Sequence, residues 1–591
     1  SEFIAGLETQ SVNDGDVQHF NYKDNIGGFN INAGYKKTEL GNFDIPNDAI
    51  IHEEDHDGHD DHEEEMLSFV KNSDLEIESS KFGISRSGDW GYFGLSADNL
   101  ESMYGIPFHG EHADEHGDGH DDHDDDHGDD HDDDHGDEHN DDHGDEHGEE
   151  RIFSTTDQES FTIKGQYNIG VNLLNSIEYT YRDTDYELVE AHAEEEGHDE
   201  HDEHDEHDEH APTVFTNDAT EYGAIFDIST DKLIQKISVN FVDEDSAIFG
   251  EESFMNPANN EETTFGYFLS ADLDAFYLDA GFRLDQIERS GSVTDDEHGD
   301  IDYYNYDDDT NSFAISLGRD LSDSFSMNLG FASVERLPSV IELYMNGPHL
   351  ATGRLETGNP NLKGETSNNF DITFDYDDGD FFATASFYVN DVDNYIALID
   401  MEDDHDDHDD HDDHDDHDDH DDHDDHDDHD DHDKEFAHLI KSNYLQQDAE
   451  FKGYELEIGR TFSLGSGDLT LSFARDDVDA EFSDGHNVPR INPARNIYTL
   501  SYVENDWLFK LSLKDVEKQD DIAEGETVTD SYQMLNARLT KTFNMNGAGE
   551  LKVSIFGSNL LDEAARNHSS FVKNEVPLPG RNYGAKFSYK F

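Results

Sequence analysis

Between its most polar tracts the chain repeats one pattern: roughly ten residues of alternating apolar and polar character, a short turn, and another such segment. The end of the chain shows it most clearly. Tyr583, Ala585, Phe587, Tyr589 and Phe591 alternate with Asn582, Gly584, Lys586, Ser588 and Lys590. A helix would space its apolar residues three or four apart, whereas a period of two gives a strand one apolar and one polar face. Phe325, Met327, Leu329 and Phe331 repeat the pattern, as do Ile237, Val239 and Phe241, then Phe370, Ile372, Phe374 and Tyr376, then Leu469, Leu471 and Phe473.

The connections carry as much information as the strands. Short turns are expected near Asn25, Gly88, Asn168, Lys232, Leu273, Ser322, Asp378, Ser466, Asn505 and Gly547, many built on Gly, Asn or Asp as tight hairpins require. The connections between them are mostly long, and short and long alternate. In an up-and-down meander every long connection then emerges on one side. This spacing predicts about 22 strands, the first at 2–10 and the last at 580–591. A soluble sandwich would not sort its connections by length in this way. The expected fold is therefore all-β: a transmembrane antiparallel up-and-down β-barrel over residues 1–591, with its apolar face toward outer-membrane lipid and long extracellular loops. A barrel of this size is normally plugged rather than open.

Composition first contradicts this reading, then supports it. A net charge of −112 over 591 residues, with 33% hydrophobic content, looks too polar for one folded body. The charge is local, however. Four runs, His52–His62, His109–His147, His192–His210 and His405–His432, hold 31 of the 37 histidines, and the low-complexity loops around them span 52–65, 109–150, 190–210 and 403–433. All four fall in long connections. The last reads Asp-Asp-His throughout and contains no apolar residue, so it cannot offset the entropy of ordering its own backbone.

The chemistry of these runs is that of a metal-binding brush. Imidazole is the commonest side-chain ligand for zinc and similar metals, and carboxylates add charge and further ligands. Without cysteine, any such site must use nitrogen and oxygen donors. The candidate ligands are His56, His59 and His62; His109, His112, His116, His120 and His123; His198, His201, His204 and His207; and His405, His408, His411, His414 and His417. A solvated tract that merely keeps the loops soluble is the plainer reading, but acid alone would serve that purpose. Zinc capture by these loops is expected to weaken as pH falls through about 6 to 7, where imidazoles protonate. The acidic balance argues against nucleic-acid partners, and no catalytic motif points to an enzyme.

Two stretches resemble the TonB-dependent outer-membrane receptors. Ala332–Glu365, ASVERLPSVIELYMNGPHLATGRLETGNPNLKGE, is similar to the family's barrel segment with E-R-x-P and E-L-Y elements before G-N-P-N-L-x-x-E. The C-terminus, GSNLLDEAARNHSSFVKNEVPLPGRNYGAKFSYKF, resembles the family's last hairpin, with N-L-L-D, P-x-P-G-R and a terminal Phe591. Within the family the chain most resembles the ZnuD-like zinc-uptake subgroup, through GDWGYFGLSADNLESMYGIPFH leading into a His/Asp-rich loop and through the NGPH element at Asn346–His349. Haem receptors usually show F-R-A-P and N-P-D-L, where this chain reads VERLP and NPNL.

The resemblance implies zinc as a transported ligand rather than a cofactor, and His349 as a metal ligand, with Glu342 and Glu335 as nearby carboxylates. Each of these two could equally pair with Arg336 or Arg354. His568 and His438 are weaker candidates, and His19 and His486 weaker still. The resemblance also implies a monomer in a Gram-negative outer membrane, driven by the TonB complex through a plug domain. The chain opens directly in what reads as a barrel strand, without initiator Met or leader, so a trimmed or partial product is expected, with the plug outside it. Other cargoes (another metal, a chelate or haem) remain open, as do a non-transporting surface metal buffer or adhesion barrel and an open diffusion pore.

Overall fold

The computed structural model describes residues 2–51, 67–108, 151–171, 173–193, 211–250, 253–294, 299–401, 439–545, 547 and 549–591. They form one closed sheet. Two of its 24 strands are the four-residue pieces Asn346–His349 and Arg354–Thr357, and the remaining 22 follow one another around an antiparallel wall. The first strand, Glu2–Gln10, pairs with Gly15–Ile26 on one side and with Asn582–Lys590 on the other. Phe3 and Phe591 exchange two backbone hydrogen bonds of 3.0 and 2.8 Å at this seam. Closure matters physically, because an open edge would leave backbone N–H and C=O groups unpaired in lipid.

The register lines up the apolar positions that the alternation marks. Phe331 lies opposite Phe370, Leu329 opposite Ile372 and Met327 opposite Phe374, while Val239 opposes Phe265 and Phe241 opposes Tyr222. Phe82, Phe241, Phe282, Phe313 and Phe587 are all exposed, as residues facing lipid must be. Each expected short turn lies within a few residues of a junction between consecutive strands, so the long connections share one side.

The strands are longer than the alternation suggests, running from the nine residues of Glu2–Gln10 to the 25 of Ile440–Leu464. Only about 9–11 residues of a tilted strand are needed to cross the hydrocarbon. The rest prolongs the wall on the long-connection side, where the outward face turns acidic. Glu78, Glu101, Asp157 and Glu187 stand opposite one another across four adjacent strands. Glu159, Asp185, Asp218 and Asp245 make a second such row, and Asp243, Glu261, Glu288 and Asp307 a third. The outward face of this upper wall is polar, so the apolar period stops on that face although the hydrogen-bonded ladder continues.

The largest buried apolar cluster lies not within the wall but in its mouth. Ile248, Met255, Ala258, Leu343, Tyr344, Leu362 and Ile396 form it, with Phe215, Phe254, Val293 and Tyr444 packed around them. Three of the seven, Leu343, Tyr344 and Leu362, belong to one connection that folds inward rather than away from the wall.

Candidate functional site

That connection, residues 337–364, leaves the strand Phe325–Arg336 and returns to Glu365–Asp377, its direct neighbour in the wall. Pro338 stops the ladder and Ser339 starts the short helix Val340–Tyr344. The helix is fixed by a capping box: Ser339 Oγ accepts from the Glu342 N–H at 3.2 Å, and Glu342 Oε2 accepts from the Ser339 N–H at 2.7 Å. Its buried pair, Leu343 and Tyr344, presses on the inner wall, and Tyr344 Oη donates to the Arg289 carbonyl at 3.0 Å. Burying two side chains of this size contributes on the order of 1.5–3 kcal/mol each. Position 291 must be glycine here, since a Cβ would come within 2.5 Å of Tyr344 Cδ2.

Beyond the helix the chain makes a small hairpin. Asn346–His349 pairs antiparallel with Arg354–Thr357, and Gly353, at φ 64°, supplies the left-handed turn residue that L side chains rarely adopt. The second arm pairs in parallel with Ile440–Asn443 at the head of a wall strand. Arg354 locks this arm: its Nε and Nη2 donate to Asp400 at 2.9 and 2.7 Å, and its Nη1 donates to the Thr352 carbonyl at 2.6 Å. Ser442 Oγ adds a 2.6 Å bond to Asp400, and the Phe571 ring lies 4.2 Å from the guanidinium.

His349 sits at the end of the first arm. Its ring stacks on Phe254 at 5.1 Å, and its Nδ1 is 2.9 Å from Glu356 Oε1. Glu356 is 3% exposed, and Thr352 Oγ1 is 3.2 Å from the same oxygen. The carboxylate can only accept, so Nδ1 carries the hydrogen and Nε2 keeps its lone pair. An imidazole oriented by a carboxylate behind it is the arrangement that metal-binding histidines usually have. Glu190, on the strand Leu174–Ala193, is near enough for its charge to interact with that of His349. Among the described residues, no three His, Asp or Glu side chains are grouped closely enough to hold a metal by themselves. His349 thus offers one oriented ring nitrogen, with no complete coordination sphere around it among the described residues.

The two carboxylates named from sequence are occupied elsewhere. Glu342 caps its own helix and forms a two-oxygen ion pair with Arg336, whose Nε also donates to Glu365 at 2.6 Å. Glu335 shares the outward face of its strand with Phe331 and Ser333, and its carboxylate accepts from Asn311 N and Nδ2 at 2.7 and 3.0 Å. Alternation turns it away from the barrel interior. Glu356, the carboxylate that actually contacts His349, was not singled out from sequence; the signal that could have found it is the hairpin across Gly353, which brings it back beside the histidine. Of the other histidines, His19 faces inward beside Gly6, His486 is exposed and His568 is buried among the loops. His438 and the loop candidates from His56 to His62, His109 to His123, His198 to His207 and His405 to His417 lie outside the described residues.

Comparison with known proteins places this geometry. The family described as "TonB dependent receptor-like, beta-barrel" matches residues 108–560. The copper transporter OprC superposes with a TM-score of 0.69 at 14% identity, over 100% of this chain and 83% of that one. The FrpB iron transporter from Neisseria meningitidis (F3-3 variant) gives 0.65 at 12% identity over 100% and 81%. The siderophore receptor PirA from Acinetobacter baumannii gives 0.63 at 11% identity over 100% and 80%. At such identities these structures establish the shared fold alone. The family match covers most of the chain and agrees with the closed 22-stranded wall: this chain belongs to the TonB-dependent receptor family of outer-membrane β-barrels.

Proposed function

We propose that this receptor takes up zinc, with the His/Asp loops gathering the ion outside and His349 receiving it in the mouth. The observation that carries the reading is positional. All four histidine runs fall in connections on the long side of the wall, which in outer-membrane barrels is the extracellular side, and the inward-folded connection of that same side presents an oriented imidazole. The upper wall between them is lined by rows of carboxylates, which raise the local concentration of cations. Remaining ligands at His349 would come from Glu190 or from residues outside those described. A plug and the TonB complex would supply closure and energy.

A second reading keeps the route and changes the metal. Nitrogen and oxygen donors also suit copper and nickel, and the similar OprC is a copper transporter. Calorimetric titration with zinc, copper and nickel, on the full chain and on a variant lacking residues 403–433, tests the capture role. A large fall in zinc stoichiometry on deletion is expected. Equal stoichiometry in the two proteins would remove capture from the account.

A further inference from the structure

Away from His349, the long connections contain a second buried group of titratable side chains. His568, in the connection between Glu550–Ser558 and Asn582–Lys590, is 2% exposed. Its Nδ1 lies 2.8 Å from Thr529 Oγ1 and 3.3 Å from Lys573 Nζ. Its Nε2 is buried, has no hydrogen-bond partner among the described residues and stands 3.9 Å from Glu526 Oε1. Lys573, 5% exposed, also donates to the Thr527 carbonyl at 2.6 Å. Glu526 accepts the backbone N–H of Arg490 at 2.7 Å and of Ala523 at 2.9 Å. One imidazole therefore joins three connections, those of Arg490, of Glu526 with Thr529, and its own.

The gap between Nε2 and Glu526 invites two occupants, a metal ion or a proton. The surrounding charges decide between them. Lys573 touches the ring, Arg490 lies behind Glu526, and Glu526 is already held by two N–H groups. Asp400, 4.0 Å from the Arg490 guanidinium, and Glu575, whose charge acts on Lys573, answer those two cations from outside the gap, so Glu526 is the one carboxylate facing the ring; a divalent ion would find no third donor grouped there among the described residues. A proton is the smaller disturbance, yet still an unfavourable one. Lys573 can only donate, so Nδ1 accepts and the ring hydrogen resides on Nε2. Protonating Nδ1 puts two donors face to face.

We propose that His568 is a proton-operated latch: neutral, it holds Lys573 and pins its connection to that of Thr529; protonated, it expels Lys573 and lets the connection swing off the mouth. The lever that would transmit this is Phe571. Its ring lies 3.6 Å from the Arg490 guanidinium and 4.2 Å from that of Arg354, the residue that locks the His349 hairpin. Releasing the connection uncovers that hairpin.

The direction of the pH effect follows from the environment. Burial holds the His568 imidazole below its ordinary pKa, the Lys573 and Arg490 charges lower it further, and Glu526 opposes them. Burial also pushes Lys573 below the usual ammonium range and lowers Arg490. A histidine whose folded pKa is depressed contributes its full stabilisation above the unfolded value of about 6.5 and loses it as pH falls below that toward the folded value. The latch is closed at neutral pH and opens on acidification.

Hydrogen exchange on the full chain in nanodiscs, at pH 7.5 and 5.0 with correction for intrinsic rates, reads the latch directly. Peptides covering 559–581 should exchange at least tenfold faster at pH 5.0, while peptides within the strand Trp507–Val516 stay unchanged. In His568→Gln, which cannot take up a proton, the acid response of 559–581 should vanish although the brush histidines still titrate. Should that variant be open at both pH values, Lys573→Met supplies the second arm: without the ammonium the protonated ring has no donor to repel, so the acid response of 559–581 should shrink severalfold. Equal protection of 559–581 at both pH values in the parent chain, or an undiminished acid response in His568→Gln, would overturn the proposal.

Discussion

Carboxylates are used in opposite ways on the upper outer wall and in the mouth. On the wall, Asp185 stands directly opposite both Glu159 and Asp218, and Asp218 opposite Asp245, with like charge facing like. In the mouth, Glu342 and Glu365 share Arg336, Asp400 is held by Arg354, and Glu356 by His349. Facing carboxylates repel and weaken the ladder slightly, whereas a buried carboxylate with a matched partner fixes geometry. The wall thus accepts a small loss of stability that leaves its field available to cations. The mouth spends its charge on holding one imidazole still.

The largest break in this comparison should come from Arg354→Leu. Arg354 and Asp400 side chains are each 8% exposed, so removing the cation leaves a buried carboxylate with only Ser442 and Arg490, the latter at 4.0 Å, at a cost of about 3 kcal/mol. Thermal unfolding should show the loss, and adding Asp400→Asn should restore part of it. Next comes Glu356→Gln, which should lower zinc affinity at His349 by about 10–100-fold while leaving the melting temperature little changed, because it alters the orienting partner alone. Calorimetry in the background lacking residues 403–433 would separate this site from the brush. An unchanged affinity would mean that Glu356 only packs. The smallest effect is expected on the wall, where Asp218→Asn relieves two facing charges and should stabilise by a few tenths of a kcal/mol, a gain that disappears in about 1 M salt.

What could be read from sequence divides along the same line. In the lipid band, residues such as Phe325, Met327, Leu329 and Phe331 alternate with polar partners, so the strand count, the short turns and the one-sided long connections were all legible. Higher up, Asp243 and Asp245 alternate with Glu244 and Ser246, and polar against polar carries no period; the strands there were read as shorter than they are. The mouth was legible only as a motif. His349 stands out through its NGPH element, but Glu356 depends on a hairpin made by Gly353, and Glu335, a nearby carboxylate in the sequence, shares an outward face with Phe331. Side-chain partnership across a turn is a tertiary fact that a linear pattern does not encode.

The central claim is that His349 receives zinc from the surface. Radioactive zinc uptake by zinc-starved cells carrying the gene, with and without His349→Ala and in competition with copper and nickel, tests it most directly. Saturable zinc uptake is expected, reduced at least tenfold by the substitution, with excess copper or nickel competing weakly. Zinc uptake unaffected by His349→Ala, or abolished equally by copper, would contradict it.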